Sequence, residues 1–197
     1  MLVCVADHPE GKIVFTIGHS TRSEVELLSL LGEAGVRTLV DVRAFPSSRR
    51  RPQFNRAALT TWLPEAGVRY VPLSQLGGRR APSPESLNGG WREPGFRGYA
   101  DYMSSPEFAA GLVRLELLAC AQPTAIMCAA AVWWRCHRRL IADALTVRGW
   151  RVGHLGIGAG HAIHELPGFA VVKLGIELSY PPSDDAATAA FRSCADG

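Results

Sequence analysis

Short β-branched apolar runs alternate along this chain with longer segments whose leucines recur at helical spacing. Ile13 to Ile17 is the first such run and reads as a strand, ending in Gly18-His19-Ser20. Ser23-Glu24-Val25-Glu26 reads as a capping box that opens a helix through about Ala34. Leu27, Leu28, Leu30 and Leu31 supply its buried face, and Gly35 stops it. Thr38 to Val42 predicts a second strand, and a basic loop, Arg43 to Asn55, follows. A helix from about Arg56 to Ala66 stops at Gly67, and Arg69 to Leu73 is a third strand. Residues 74–98, rich in glycine and proline, read as a long irregular segment, a kind that is often functional in a compact domain. Ser105-Pro106 places a cap before a proline at the first helical position and opens a helix to about Ala121. Thr124 to Cys128, a helix from about Cys136 to Arg148, and Trp150 to Leu155 complete the pattern.

Strands alternating with helices predict an α/β fold: a single-domain, mostly parallel Rossmann-like sheet with helices on both faces. The domain is expected to cover residues 1–182, with 183–197 a tail that is a short helix or disordered. In such sheets ligands bind beyond the carboxyl ends of the strands. Those ends carry His19-Ser20, Asp41-Val42-Arg43, the segment Cys128 to Arg138, and His154.

The apolar fraction of 47% and charged fraction of 20% are those of an ordinary globular chain of 197 residues. No apolar run is long enough to span a bilayer, and no basic-then-apolar leader pattern opens the chain, so the expectation is a cytoplasmic protein without a membrane partner. The five cysteines are widely spaced, with no CxxC pair; reduced thiols and no structural zinc are expected. The net charge of +3 is unevenly spread. Residues 43–97 hold ten arginines against Glu65, Glu85 and Glu93, a local charge of +7. Clustered guanidiniums with interleaved aromatics fit a phosphate-bearing partner, nucleic acid or nucleotide; a solvated basic surface is the competing reading.

The strand ends supply the candidate chemistry. Gly18-His19-Ser20-Thr21 lies between a strand and a helix start, where free amides and the Ser20 hydroxyl suit an anion. Asp41 and Arg43 sit two apart on extended chain, so they share a side: Asp41 orients Arg43 or acts as an acid or base, unless the two are a structural ion pair. In the loop Pro46 to Asn55, Arg51 is a phosphate clamp, Gln53 and Asn55 are polar contacts and Phe54 is a platform for a base, or else a buried anchor. Trp91, Phe96 and Tyr99 form a second candidate stacking set.

Met127 to Arg139 is the densest segment, with Cys128, Trp133, Trp134, Arg135, Cys136, His137, Arg138 and Arg139. Cys136 is a nucleophile helped by His137, a metal ligand lacking partners at metal spacing, or a buried thiol with His137 and Arg138 facing the ligand. The buried reading is preferred, and no metal or other cofactor is expected. Trp133 and Trp134 wall a pocket or pack on the sheet. His161 and His164 form an HxxH pair with no third ligand nearby in sequence.

Taken together these residues resemble the bacterial and archaeal family catalogued as domain of unknown function 488. The matching motifs are Gly-His-Ser at 18–20, Asp-Val-Arg at 41–43, Pro-Gln-Phe-Asn at 52–55, Leu-Gly-Gly-Arg at 76–79, Gly-Tyr-Ala-Asp-Tyr-Met at 98–103 and Cys-His-Arg at 136–138. On that resemblance the likeness runs from Thr16 to Pro181. Relatives usually read Cys-Ala-Glu after the fourth strand, where this chain reads Cys128-Ala129-Ala130. The resemblance therefore implies a general acid/base glutamate at position 130, here replaced by alanine, either by engineering of an inactive variant or in a natural member with altered activity. The intact flanking pattern favours engineering.

The expectation that follows is a hydrolase acting on nucleic acid or a nucleotide, most concretely an N-glycosylase for a modified or damaged base. Its catalytic positions are 130, Asp41, His19 and His137. Substrate is expected at Ser20, Arg43, Arg51, Gln53, Phe54, Asn55, Tyr99, Trp134, Cys136 and Arg138, with a base leaving its stack to reach the aromatics. The alternatives are cysteine chemistry on a small anionic substrate and a non-enzymatic nucleic-acid-binding module. Oligomeric state is left open.

Overall fold

The computed structural model describes residues 12–158 and 160–182, so the expected tail at 183–197 lies outside the described residues. The elements are β1 (Ile13–Gly18), α1 (Glu24–Glu33), β2 (Thr38–Asp41), α2 (Arg56–Glu65), β3 (Arg69–Pro72), α3 (Pro94–Tyr102), α4 (Pro106–Ala121), β4 (Thr124–Cys128), α5 (Arg138–Val147), β5 (Arg151–Leu155), β6 (His161–Ile163), β7 (Val171–Lys173) and β8 (Glu177–Ser179). The main sheet has the order β3-β2-β4-β1-β5-β6; the first five strands run parallel and β6 is antiparallel to β5. The pair β7-β8 forms a separate hairpin. The expected α/β, Rossmann-like architecture is thus the observed one.

The period of two along each strand divides the core into two layers. Phe15, Ile17, Leu39, Ala125 and Met127 pack with Leu27 and Leu31 of α1 and Leu59 and Leu63 of α2. Val14, Val40, Ile126 and Val152 pack with Phe108, Leu112 and Leu115 of α4 and with Leu140, Ile141 and Leu145 of α5. Chain order explains the division. β1→β2→β3 moves outward one way with α1 and α2, while β3→β4→β5 moves back the other way with α4 and α5. β4 is therefore inserted between β2 and β1. The direction of winding reverses at these three strands, and their carboxyl ends form the crevice where such sheets bind ligands.

The local signals act as expected at several termini. Ser23 accepts from the Glu26 amide, and the Glu26 carboxylate takes the Ser23 amide and hydroxyl, a complete capping box. Ser105 caps α4 through the Phe108 amide. Gly35, Gly67 and Gly149 take positive φ where α1, α2 and α5 end.

The structure departs from expectation inside residues 74–98. Helix α3 begins there at Pro94 and runs to Tyr102, despite Gly95 and Gly98. Gly98 is needed because a Cβ would overlap the backbone of Arg80 to Pro82. Helix α5 starts at Arg138 rather than Cys136; residues 133–135 form a separate 3-10 turn. Cys120 is disulfide-bonded, correcting the expectation of five reduced thiols, while Cys128 and Cys136 are free. That expectation rested on compartment, which says nothing about which side chains the fold brings together.

Candidate functional site

Strand parity distributes the crevice's polar groups to two sides of the sheet. Asp41, Arg43 and His19 fall on the α1–α2 side. Arg43 donates to both Asp41 oxygens, Nε to Oδ1 at 2.8 Å and Nη2 to Oδ2 at 2.6 Å. Tyr70 from β3 adds its hydroxyl to Oδ2 at 2.7 Å, and Arg43 Nη2 also reaches the Phe54 carbonyl at 2.8 Å. Burial works against the Arg43 charge, and the bonds and charge of Asp41 outweigh it, raising its pKa. Burial and the Asp41 charge push the Tyr70 phenol well up.

His19 closes this cluster. Its ring stacks on Phe54 at 4.4 Å, and its Nε2 lies 3.2 Å from Arg43 Nη1. A guanidinium only donates, so Nε2 accepts and Nδ1 carries the proton toward the Ser20 carbonyl, 3.3 Å away. Burial, and then the Arg43 charge, lower its pKa to about 4, so it is a neutral ring.

The other side carries the thiols. His137 Nε2 lies 3.0 Å from the Val42 carbonyl oxygen, and its Nδ1 lies 3.9 Å from Cys128 Sγ and 3.7 Å from Cys136 Sγ. The three ligand atoms of Cys128, Cys136 and His137 all lie within 4.8 Å of one another. The neighbouring Cys128 thiol, with His137 and Arg138 beside it, holds Cys136 well below the usual thiol range; Cys136 and burial push Cys128 well up. Tyr99 backs the His137 ring at 5.1 Å and spends its hydroxyl on the Leu76 carbonyl. A cleft of about 590 Å³ opens onto Cys136 and His137, lined also by Arg79, Glu93, Phe96 and Arg135.

Position 130 lies between these two sides. The amides of His19 and Ser20 bond the carbonyls of Cys128 and Ala129, continuing the β1–β4 pairing past the strand ends. Arg138, only 1% exposed, donates to the Ala130 carbonyl at 2.6 Å and to Cys136 Sγ at 3.5 Å. Among the described residues no carboxylate lies within ion-pair distance of Arg138.

Behind the crevice, a polar chain crosses the core: Thr16 Oγ1 to His154 Nδ1 at 2.7 Å, His154 Nε2 to His164 Nδ1 at 3.1 Å, and His164 Nε2 to Asp143 Oδ1 at 2.6 Å. Tyr180 donates to the other Asp143 oxygen at 2.6 Å. Trp133 stacks on His154 at 4.1 Å, which places it against the sheet.

Several expected sites are already engaged. The His19 and Ser20 amides are not free for an anion, because β4 takes them. Phe54 is fully buried beneath His19, and Tyr99 is fully buried behind His137; neither offers a face to a base, because each completes a core layer instead. Arg43 is locked to Asp41 rather than free for phosphate. Asn55 accepts the Ser48 amide, closing the arginine loop on itself; Gln53 accepts Trp62 Nε1 on its carbonyl. Arg51 is half-buried beside exposed Arg49 and Arg50. Trp134, 43% exposed, packs at right angles to Trp133. Sequence reasoning placed His154 and Cys128 at strand ends without giving them partners, and missed Tyr70, Asp143 and Tyr180; no local spacing marks the pairings.

The sequence profile of one family, described as Domain of unknown function DUF488, matches residues 24–145. The chain belongs to this DUF488 family. The matched span covers α1 through most of α5, and so includes Asp41, Arg43, Ala130, Cys136, His137 and Arg138; the Gly-His-Ser turn and Tyr180 lie outside it. No curated protein and no solved structure matches the chain. Among the described residues no helix is long and apolar enough to cross a membrane.

Proposed function

We propose that this DUF488 protein is built as a hydrolase acting on nucleic acid or a nucleotide, in its most concrete form an N-glycosylase for a modified or damaged base, with position 130 as the catalytic position. One observation carries this reading: the backbone at 130 is clamped from two sides, by Arg138 on its carbonyl and by the close approach of Gly18, at the carboxyl ends of the two central strands. A catalytic carboxylate needs such a rigid seat. Arg138, buried without a carboxylate partner among the described residues, is the countercharge that a glutamate at 130 would meet. Neutral His19, on the adjoining turn, holds the Arg43 guanidinium through its bare Nε2. The exposed guanidiniums of Arg79 and Arg135 in the cleft, and of Arg49 and Arg50 on the loop after β2, supply phosphate contacts.

The test compares this chain with its Ala130→Glu variant on a panel of damaged and modified oligonucleotides, with released bases and strand breaks read by mass spectrometry. Product from the variant alone supports the reading. Tight binding without product from either chain moves the reading to a binding module.

A second reading, thiol chemistry on a small anionic substrate, is favoured by the depressed Cys136 thiol at the floor of a cleft bearing Arg79 and Arg135. It requires fast, selective alkylation of Cys136 at neutral pH. Equal, slow labelling of Cys128 and Cys136 counts against it.

A further inference from the structure

We infer that Cys128, Cys136 and His137 form a zinc site with one coordination position open to the adjoining cleft. The inference rests on geometry alone and is independent of the hydrolase reading.

The donor atoms stand near the corners such an ion requires. Tetrahedral Zn(II), bonded to sulfur at about 2.3 Å and to imidazole nitrogen at about 2.0–2.1 Å, sets those atoms about 3.6 Å apart. His137 Nδ1 lies 3.7 Å from Cys136 Sγ and 3.9 Å from Cys128 Sγ. The third edge is within 4.8 Å. Closing the cluster on an ion takes movements of a few tenths of an ångström at the two His137 edges and of at most about 1 Å at the Cys128–Cys136 edge, the scale of side-chain adjustment.

The orientation of His137 supplies an independent observation. Its Nε2 faces the Val42 carbonyl at 3.0 Å, and a carbonyl only accepts, so Nε2 carries the proton. In the neutral ring Nδ1 is then bare and turned toward both sulfurs. A backbone carbonyl holding the far nitrogen of a histidine is the recurring support of metal-ligating imidazoles. Gly78 leaves the space beside Nδ1 open, since a Cβ there would stand 2.7 Å from that nitrogen.

Two thiolates and one imidazole select a thiophilic or borderline ion over calcium or magnesium. Three protein ligands leave the fourth position to water or substrate, the arrangement of catalytic rather than structural zinc. Here Cys136 and His137 line the cleft that also holds Arg79, Phe96 and Arg135. The ligand suited to that position is an oxygen of an anionic substrate, its charge met by the two guanidiniums.

The experiment uses the full chain, handled anaerobically. Zn(II) and Co(II) are titrated separately, and the zinc-loaded protein is examined by X-ray absorption. The expected result is one equivalent per chain, a thiolate-to-cobalt charge-transfer band, and a zinc shell with two sulfur neighbours. Cys128→Ser, Cys136→Ser and His137→Gln should each weaken Zn(II) by more than the roughly 10–100-fold that loss of an outer-shell partner costs. His161→Gln, in the HxxH segment, should leave it unchanged. Zn(II) should also slow alkylation of Cys136 at least about tenfold by tying up the thiolate. A shell of nitrogen and oxygen only, no stoichiometric uptake, or unprotected Cys136 would overturn the site. The absorption measurement needs no variant, so a misfolded mutant cannot decide the matter.

Discussion

A Cβ on Gly18 would overlap the carbonyl oxygen of Ala130. The last residue of β1 is therefore glycine for the sake of a loop more than a hundred residues away, and the obstacle is backbone, which cannot rotate aside. Gly18→Ala is expected to destabilise the protein by about 1–3 kcal/mol, the usual range for forcing a methyl into packed space. Urea unfolding measures it. A loss below about 0.5 kcal/mol, typical of an exposed surface site, would mean that the loop yields and the seat at 130 is not rigid.

Arg138 donates to the Ala130 carbonyl while lacking a carboxylate partner among the described residues. Ala130→Glu is expected to raise stability by about 1 kcal/mol, through a charge-assisted hydrogen bond to that guanidinium. The gain should vanish when Arg138 is also replaced, in a double-mutant cycle of thermal unfolding. Additive effects would show that residue 130 and Arg138 do not meet.

Asp41 compensates a buried charge. Asp41→Asn leaves the Arg43 guanidinium, 7% exposed, without its counterion, and is expected to cost about 3–5 kcal/mol. Tyr70→Phe removes only one of several donors from the same carboxylate, and should cost less, about 1.5–3 kcal/mol. Equal losses for the two variants, by chemical denaturation, would contradict this ordering.

Stability should fall in mild acid. His19 and His154 are held neutral in the fold, at about 4 and about 3, chiefly by burial. In the unfolded chain each takes a proton near 6.5. As pH drops below 6.5 the unfolded state gains protons that the folded state refuses, so the stability present above 6.5 is lost progressively toward pH 4. Each imidazole contributes a slope of up to about 1.4 kcal/mol per pH unit. Melting curves from pH 8 to 4 test this, and His19→Gln should make the dependence shallower. A flat profile over that range would show that these rings are charged in the fold.

Asp143 ties α5 to the C-terminal segment through Tyr180 and to the β5–β6 edge through His164. Asp143→Ala leaves two buried partners unsatisfied and is expected to cost more than Tyr180→Phe, by about 1–3 kcal/mol. Hydrogen exchange at β8 and around Trp91, which packs on Tyr180 at 5.3 Å, should accelerate in both variants.

The architecture was legible because its signals are local. A capping box at 23–26, leucines at helical spacing and β-branched runs each act within a few residues, and together they specify strands, helices and their alternation. Asp41 and Arg43 were legible for the same reason: two positions two apart on extended chain share a side whatever the sheet does. Helix α3 was hidden because Gly95 and Gly98 argue against a helix locally, while packing of Gly98 against Arg80 to Pro82 requires a glycine there.

The meeting of side chains from different strands was not legible. Strand order is a property of the whole chain, and inserting β4 between β2 and β1 is what carries His137 to Val42 and Ala130 to Gly18. The sequence alone settles which residues are reactive and at which strand ends they stand. Tertiary packing assigns their roles: it fills the spaces of Phe54, Tyr99 and Arg43 with internal partners, and leaves two thiols and one imidazole facing each other beside an open cleft.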